Sequence, residues 1–386
     1  MTAMMHAVKR LASKVSRDLI TVFTKRRANR IVLIIESLSG SNTYALWKNA
    51  SKDLLDRFDV IIYQDVQEKD KEIRHFFKKY RLLSSAQLII TTHASYKPSR
   101  HHIHFQLWHG SSIKTSGVME HKKGEQKFEL PWKTVDYIMS YSDTYTTFLN
   151  AQMLSLPWKY KITGAPRNDF LFHSDGISNL TKVLCSSIKG KKIIFHLPTW
   201  RGAADSEPGS RNEGNIFGFS EFAATEFDSF LADNNCKLIF KPHPHENEMA
   251  LNFINKNNLT NVLIISNDDL MLCGLDLYEV LNAADILITD FSSVYNDFLL
   301  LDRPIVFASG DLDVYREGRG FMVESFHDWA PGSKAANQNE LQLEISNYLT
   351  KEDRYSENRA WQLKQQHRYK DGNSSQRMWE FISTIM

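Results

Sequence analysis

The stretch Asp285 to Pro304, DILITDFSSVYNDFLLLDRP, carries the residue pattern most suited to chemistry. Ile286, Leu287 and Ile288 form a short apolar run of the kind found in a strand buried on both faces. Asp290, Ser292 and Ser293 follow where the first turn of a helix needs its backbone donors capped. Unpaired N–H groups and serine hydroxyls at such a junction attract an anion, and a phosphate is the natural ligand. The same residues serve equally well as the plain cap of a buried helix.

Other polar groups recur at apolar strand ends. FQLWHGSSIKTSG reaches His109 and Gly110, then hydroxyls and Lys114. GAPRNDF supplies Arg167, Asn168 and Asp169; HLPTWRG supplies Thr199 and Arg201. KPHPHE supplies Lys241, with His243 and His245 in a stiff segment of alternating prolines. Singly, each has an ordinary explanation: a hydrogen-bonded structural histidine, an interface ion pair between Arg167 and Asp169, or a solvated Lys241. Together they form a set suited to anions.

The elements that must position these residues alternate along the chain. Ile31–Glu36, Asp59–Tyr63, Gln87–Thr92, His104–Trp108, Asp136–Ser140 and Lys159–Thr163 read as strands, with helices expected over Leu46–Leu55 and Glu68–Tyr80. A polar stretch, His173 to Gly190, separates them from a second set of strands at Lys191–Leu197, Lys237–Phe240, Asn261–Ile265, Asp285–Thr289 and Pro304–Ala308. This pattern predicts an α/β chain of two doubly wound, Rossmann-like domains facing across a cleft, residues 31–175 and 185–386, with ligands beyond the carboxyl ends of the strands. The last helix is expected to pack back on the first domain.

Residues 1–30 differ in kind. Lys9, Arg10, Lys14, Arg17, Lys25, Arg26, Arg27 and Arg30 face only Asp18, while Met4, Val8, Leu11, Val15, Leu19, Val22 and Phe23 recur at helical spacing. A basic amphipathic helix of this type suits an anionic membrane surface or packs on the protein's second domain. It lacks the features of a secretory signal, and no apolar run is long enough to span a bilayer.

Composition bounds the partners. The 386 residues are 42% hydrophobic and 24% charged with a net charge of +2, which suits two globular domains and argues against a protein that coats nucleic acid. Cys185, Cys236 and Cys273 are too scattered for a disulfide framework or a four-cysteine zinc site, so a reducing compartment is expected. The strand-end charges are mainly cationic and no Asp-x-Asp ends a strand, so neither a metal nor another cofactor is expected.

In this order, QLWHG, GAPRNDF, PTWRG, KPHPH, DILITDFSSVYNDFLLLDRPIVF and YREGRGF resemble the CDP-glycerol glycerophosphotransferases, which include teichoic acid primases and polymerases. The resemblance covers roughly Gln87 to Phe321. It departs from the family pattern at Ser111 to Ile113, where Thr-Pro-Leu is usual before Lys114, at Ala165, usually aromatic, and at Gly202, often acidic. The first change keeps a hydroxyl and the lysine; the other two bear on acceptor or alditol choice.

The resemblance implies the GT-B architecture and transfer of an alditol phosphate from CDP-glycerol, or a related CDP-alditol, to a hydroxyl of a lipid-linked or polymeric acceptor, with release of CMP. It places such a protein in the cytoplasm, peripheral on the inner face of a bacterial cell membrane, in teichoic acid or capsule-type polymer synthesis. His109 is then expected as general base. His243 and His245 would meet the phosphates, His243 nearer the chemistry. Gly110, Lys114, Arg167, Asn168, Asp169, Thr199, Arg201, Lys241, Asp290, Ser292 and Ser293 would bind substrate; Glu279 would take the ribose hydroxyls by analogy with other GT-B enzymes, and Arg319 would close over the donor. The alternatives are a GT-B glycosyltransferase using a nucleotide sugar, a metal-dependent hydrolase built on the three histidines, and a non-catalytic polyanion-binding protein, which would have little need of His109.

Overall fold

The computed structural model describes residues 2–36, 39–64, 73–93, 96–110, 113–120, 130–199 and 216–386. Two six-stranded sheets organise them, and every pairing between named strands is parallel. The first contains β1 (Arg30–Ile35), β2 (Asp59–Gln64), β3 (Leu88–Thr91), β4 (Ile103–Gln106), β5 (Tyr137–Ser140) and β6 (Tyr160–Ile162), in the order β2-β1-β3-β4-β5-β6. The second contains β7 (Lys192–His196), β8 (Cys236–Phe240), β9 (Val262–Ile264), β10 (Ile286–Thr289), β11 (Ile305–Ala308) and β12 (Ser333–Ala335), in the order β12-β11-β10-β7-β8-β9.

Strand order reverses between β1 and β3 in one sheet and between β7 and β10 in the other. At such switch points the connections diverge to opposite faces and leave a crevice at the carboxyl ends. Sheet interiors are apolar, as strands covered on both faces require: Ile31, Val32 and Leu33 of β1, and Ile193, Ile194 and Phe195 of β7, are fully buried.

The strands lie where the hydrophobic runs place them, apart from β12, whose sequence Ser-Lys-Ala gives no apolar signal. The helix expected over Leu46–Leu55 is instead two short helices, Asn42–Lys48 and Lys52–Arg57. Ser51 makes the break, since its hydroxyl accepts the Leu54 N–H and begins a new helix. The helix expected over Glu68–Tyr80 is seen from Ile73 to Ser85; its anticipated first residues lie outside the described ones.

The polar stretch between the halves is not simply a connector. It folds into the helix Gly176–Leu184, capped by Asp175 and seated through fully buried Leu180. Asn179 Nδ2 donates to the Glu279 carbonyl at 2.9 Å and Asn282 Nδ2 to that of Ser174 at 2.6 Å, tying this helix to the second half.

The final helix, Ser374–Ile385, crosses back under the first sheet. Met378, Trp379 and Ile382 share a core with Ile31, Leu33 and Phe105, and Trp379 Nε1 donates to the Leu46 carbonyl. At the other end of the chain, the helix Thr2–Phe23 lies along Ile73–Ser85: Thr21 and Ser84 hydroxyls meet at 3.0 Å, and the Arg17 guanidinium covers the rings of Tyr80 and Tyr96. Leu11, Val15, Leu19, Val22 and Phe23 remain exposed, Phe23 at 84%. No helix among the described residues is long and apolar enough to cross a membrane.

Candidate active site

In the second half, the turn after β10 is held by one carboxylate. Asp290 Oδ1 accepts the N–H groups of Phe291 at 2.6 Å, Ser292 at 3.2 Å and Thr199 at 2.7 Å. The last contact crosses the β7/β10 switch point, so buried Asp290 and Thr199 build the turn. The Asp290 carboxylate and the Thr199 backbone N–H thus support this turn from behind. The helix that follows, Val294–Phe298, is only 5 residues long, so its dipole is small and the serine hydroxyls and turn N–H groups matter more.

β8, paired in register with β7, ends at Phe240 and leads into Lys241 and His243, with Lys241 N donating to the His196 carbonyl at 3.1 Å. Lys241 is partly buried and its amine is pushed down to about 8 by burial, with Asp276 opposing. Among the described residues no carboxylate lies within ion-pair distance of it, an arrangement that favours an anionic ligand. His243 caps the turn Pro244–Glu246, with Nδ1 accepting the His245 N–H at 3.4 Å. An accepting Nδ1 leaves the proton of the neutral ring on Nε2, as a donor. Burial, then His245 and Lys241, push this histidine down to about 4. His245 is exposed.

The first half contributes His109, just past β4. Its Nδ1 lies 3.2 Å from the Thr92 carbonyl, which only accepts, so the neutral ring carries its proton on Nδ1 and a lone pair on Nε2. The two histidines therefore hold opposite tautomers. His109 stacks on His93 with centroids 4.1 Å apart and planes at 10°. Burial, then the neighbouring His93, push it down to about 3, with smaller opposition from the Thr92 carbonyl and further lowering by Arg167 and Lys114.

His109, Gly110, Lys114, Ser293 and Arg319 come together around one cavity of about 210 Å³, with Tyr145, Phe148 and Gln152 on another wall. Gly110 lets the halves meet: a Cβ there would stand 2.5 Å from the Ser293 hydroxyl. Arg319 is already engaged across the halves, its Nε donating to the Thr115 carbonyl at 3.1 Å and its guanidinium 3.6 Å from Glu120. A short antiparallel contact pairs Lys114 with Phe321, and Met322 N donates to the Ile113 carbonyl at 2.7 Å. Arg319 therefore belongs to a seam joining the halves beside the cavity.

Three expected substrate contacts are clamps instead. Arg167 is paired with Asp297 at 2.5 Å and donates to the carbonyls of Gly40 at 3.0 Å and His109 at 2.7 Å. Asn168 Nδ2 reaches the same Asp297 at 2.9 Å, while Asp169 accepts the Ser374 and Ser375 N–H groups and caps the final helix. All three side chains are buried at 2–3% exposure, so the motif orders the cleft from behind. Glu279 likewise does not face the cavity: Lys48 holds its carboxylate at 2.8 Å across the halves. Arg201 lies outside the described residues.

Residues with no sequence signal complete the arrangement. Asp276 accepts the Ser41 N–H across the halves at 3.2 Å, and Glu36 Oε2 accepts those of Thr92 at 2.7 Å and His93 at 2.6 Å. Among the described residues no group of three or more His, Cys, Asp or Glu side chains is placed to hold a metal ion.

A family model described as CDP-Glycerol:Poly(glycerophosphate) glycerophosphotransferase matches residues 20–384. The chain is 24% identical over 382 residues to the teichoic acid glycerol-phosphate primase of Bacillus subtilis (strain 168), covering 95% of this chain and 92% of that protein. It is 25% identical over 345 residues to a teichoic acid poly(glycerol phosphate) polymerase of Bacillus spizizenii, covering 79% and 80%. Among solved structures, the wall teichoic acid polymerase TagF superposes with a TM-score of 0.74 at 18% identity over 99% of this chain and 96% of that one, which shows a shared fold. Two parallel sheets meeting at their carboxyl ends are the GT-B arrangement.

Proposed function

The chain belongs to the CDP-glycerol:poly(glycerophosphate) glycerophosphotransferase family, and on that premise we propose that it transfers glycerol phosphate from CDP-glycerol to a hydroxyl of a lipid-linked or polymeric acceptor, releasing CMP. The observation that carries this reading is His109, whose Nδ1 is committed to the Thr92 carbonyl and whose Nε2 lone pair is available at a cavity shared with Ser293.

In the reaction, His109 Nε2 takes the proton of the acceptor hydroxyl as its oxygen attacks the phosphorus bearing glycerol. That phosphorus keeps its glycerol, gains the bond to the acceptor, and loses the oxygen bridging it to CMP. Lys241 and the Nε2–H of His243 balance the charge that develops on the departing phosphate, with the hydroxyls of Ser292 and Ser293 as further donors. The base is weak in the empty site, but an incoming pyrophosphate raises its proton affinity by adding negative charge nearby. Thus the base strengthens when the donor is bound. The first half would receive the acceptor and the second the CDP moiety.

We also infer attachment to the anionic inner surface of a bacterial membrane. The exposed face of the N-terminal helix presents Leu11, Leu19 and Phe23, and a wide groove beside it is lined by Lys25, Arg27, Arg30, Lys78 and Arg81. An acceptor carried on a lipid would then be presented from the same surface.

Purified protein incubated with CDP-glycerol, CDP-ribitol or UDP-sugars and a glycerol-phosphate primer on a lipid mimic tests the reaction. Primer-dependent CMP release from CDP-glycerol, abolished in His109→Ala, is expected. Release of UDP from a sugar donor, with no CMP from either CDP-alditol, overturns the reading in favour of a nucleotide-sugar transferase.

A further inference from the structure

The base does not stand alone at the end of β4. It hangs from the segment Thr92–His93, which leaves the neighbouring strand β3 and supplies both of its restraints. The Thr92 carbonyl fixes which ring nitrogen is protonated, and the His93 ring fixes the plane. That segment is itself gripped from β1, the strand on the far side of the switch point. One oxygen of Glu36, Oε2, accepts the Thr92 N–H at 2.7 Å, the Thr92 hydroxyl at 3.3 Å and the His93 N–H at 2.6 Å. The His93 Nδ1 lies 3.9 Å from the same oxygen, and the Thr92 hydroxyl 2.9 Å from that nitrogen. Trp108 lies against His109, with centroids 3.8 Å apart.

We propose that Glu36 and His93 are positioning residues for the base, Glu36 by clamping the backbone that fixes the His109 tautomer and His93 by holding the ring plane. The inference rests on the transferase reading above. It gives the first half a counterpart of the second, because Asp290 clamps the exits of β10 and β7 across their switch point as Glu36 clamps the exit of β3. In one half the carboxylate shapes a phosphate-binding turn; in the other it aims a proton acceptor.

The charged and titratable groups facing this unit are few among the described residues. Glu36 faces His93 from the end of β1, Arg167 lies behind both rings with its guanidinium on the His109 carbonyl, and Lys114 approaches from the loop after β4. When His109 receives a proton in the transition state, the Glu36 carboxylate beyond the stacked ring lies on the side where negative charge helps, while His93 acts by holding the ring plane. A ring lost from position 93 therefore affects the chemical step, and donor affinity should be unaffected.

The test uses the full chain with uniformly ¹⁵N-labelled histidine and the variants His93→Phe, His93→Ala, Glu36→Gln and Glu36→Ala. Each is assayed for CMP release and for the ¹⁵N shifts that distinguish an Nδ1–H from an Nε2–H imidazole at His109. We expect kcat to fall about 100-fold in Glu36→Ala and about 30-fold in His93→Ala, within the range for misplacing a catalytic group, with KM for CDP-glycerol within about twofold. The conservative variants should recover most of the loss, Phe by keeping the ring and Gln by keeping an acceptor oxygen. His109 should remain Nδ1–H in the wild type and His93→Phe, and become a tautomer mixture in Glu36→Ala. Wild-type kcat and an unchanged tautomer in both alanine variants overturn the proposal, as does a loss confined to KM. Should the wild type release no CMP, the transferase reading fails, yet the tautomer comparison still decides whether Glu36 positions the ring. Should Glu36→Ala fail to fold, Glu36→Gln and the His93 pair carry the same decision.

Discussion

At the scale of single residues, the roles proposed for His109 and His243 divide by protonation. Their hydrogen bonds place a lone pair on one Nε2 and a proton on the other. His109→Ala should lose about 10³-fold in kcat while CMP affinity, measured by calorimetry, stays within about twofold, because a general base contributes to the transition state and not to nucleotide binding. On the proposed reading, Lys241, pushed down to about 8, would gain a partner when pyrophosphate binds, so its proton affinity would rise and binding would take up protons near pH 8. KM for CDP-glycerol should accordingly climb as pH rises through 8, and Lys241→Ala should flatten that dependence. These roles were only partly legible in the sequence. Histidines and a lysine at strand ends declared a polar cleft, but a tautomer depends on a carbonyl from another strand, and Thr92 is 17 residues from His109. Glu36 gave no signal because a carboxylate ending an apolar run reads as an ordinary solvated strand end.

At the scale of elements, most of the polar motifs act on one another before they act on a substrate. The strands were legible because buried parallel strands need continuous apolar runs, whereas β12 and the Ser51 break depend on tertiary packing and a local cap. GAPRNDF reads as cleft chemistry by composition, yet Arg167 finds Asp297 from a helix 130 residues away, a pairing no local spacing encodes. Breaking this buried pair leaves an uncompensated charge, so Asp297→Ala should cost about 3–5 kcal/mol of stability in urea unfolding, more than any surface pair removed for comparison. Gly110→Ala is predicted to fold with a near-wild-type Tm and lose at least about tenfold in kcat, since its Cβ would drive the Ser293 hydroxyl out of the cavity. Fully buried His104, held to about 4 by burial, adds a pH dependence to the first sheet. Its unfolded form titrates near 6.5. Between that value and about 4 the unfolded chain binds a proton that the folded chain refuses, so stability is complete above about 6.5 and declines as pH falls. Tm measured from pH 7 to 4.5 should drop, with a shallower slope in His104→Gln.

At the scale of the whole molecule, the two halves are fastened on several sides, by Arg167 to Asp297, by Lys48 to Glu279, by the Thr115–Arg319 seam and by the final helix returning under the first sheet. Among the described residues the N-terminal helix rests on the first half, held by Thr21 and Arg17, and turns an apolar face outward beside a basic groove. The sequence showed the stripe and the charge but not which face the protein would cover, since both packing on the chain and packing on lipid select the same amphipathic pattern. With Leu11, Leu19 and Phe23 exposed at 63%, 53% and 84%, charges there cost the fold little and the lipid contact much. The triple variant Leu11→Glu, Leu19→Glu, Phe23→Glu should keep its Tm within about 2 °C and its CMP release from a soluble primer, but bind vesicles containing anionic lipid at least about tenfold less tightly in sedimentation. On a lipid-anchored primer its rate should fall in proportion. Undiminished vesicle binding by this variant would remove the helix from membrane attachment, and an equal loss of rate on both primers would assign it instead to the integrity of the first half.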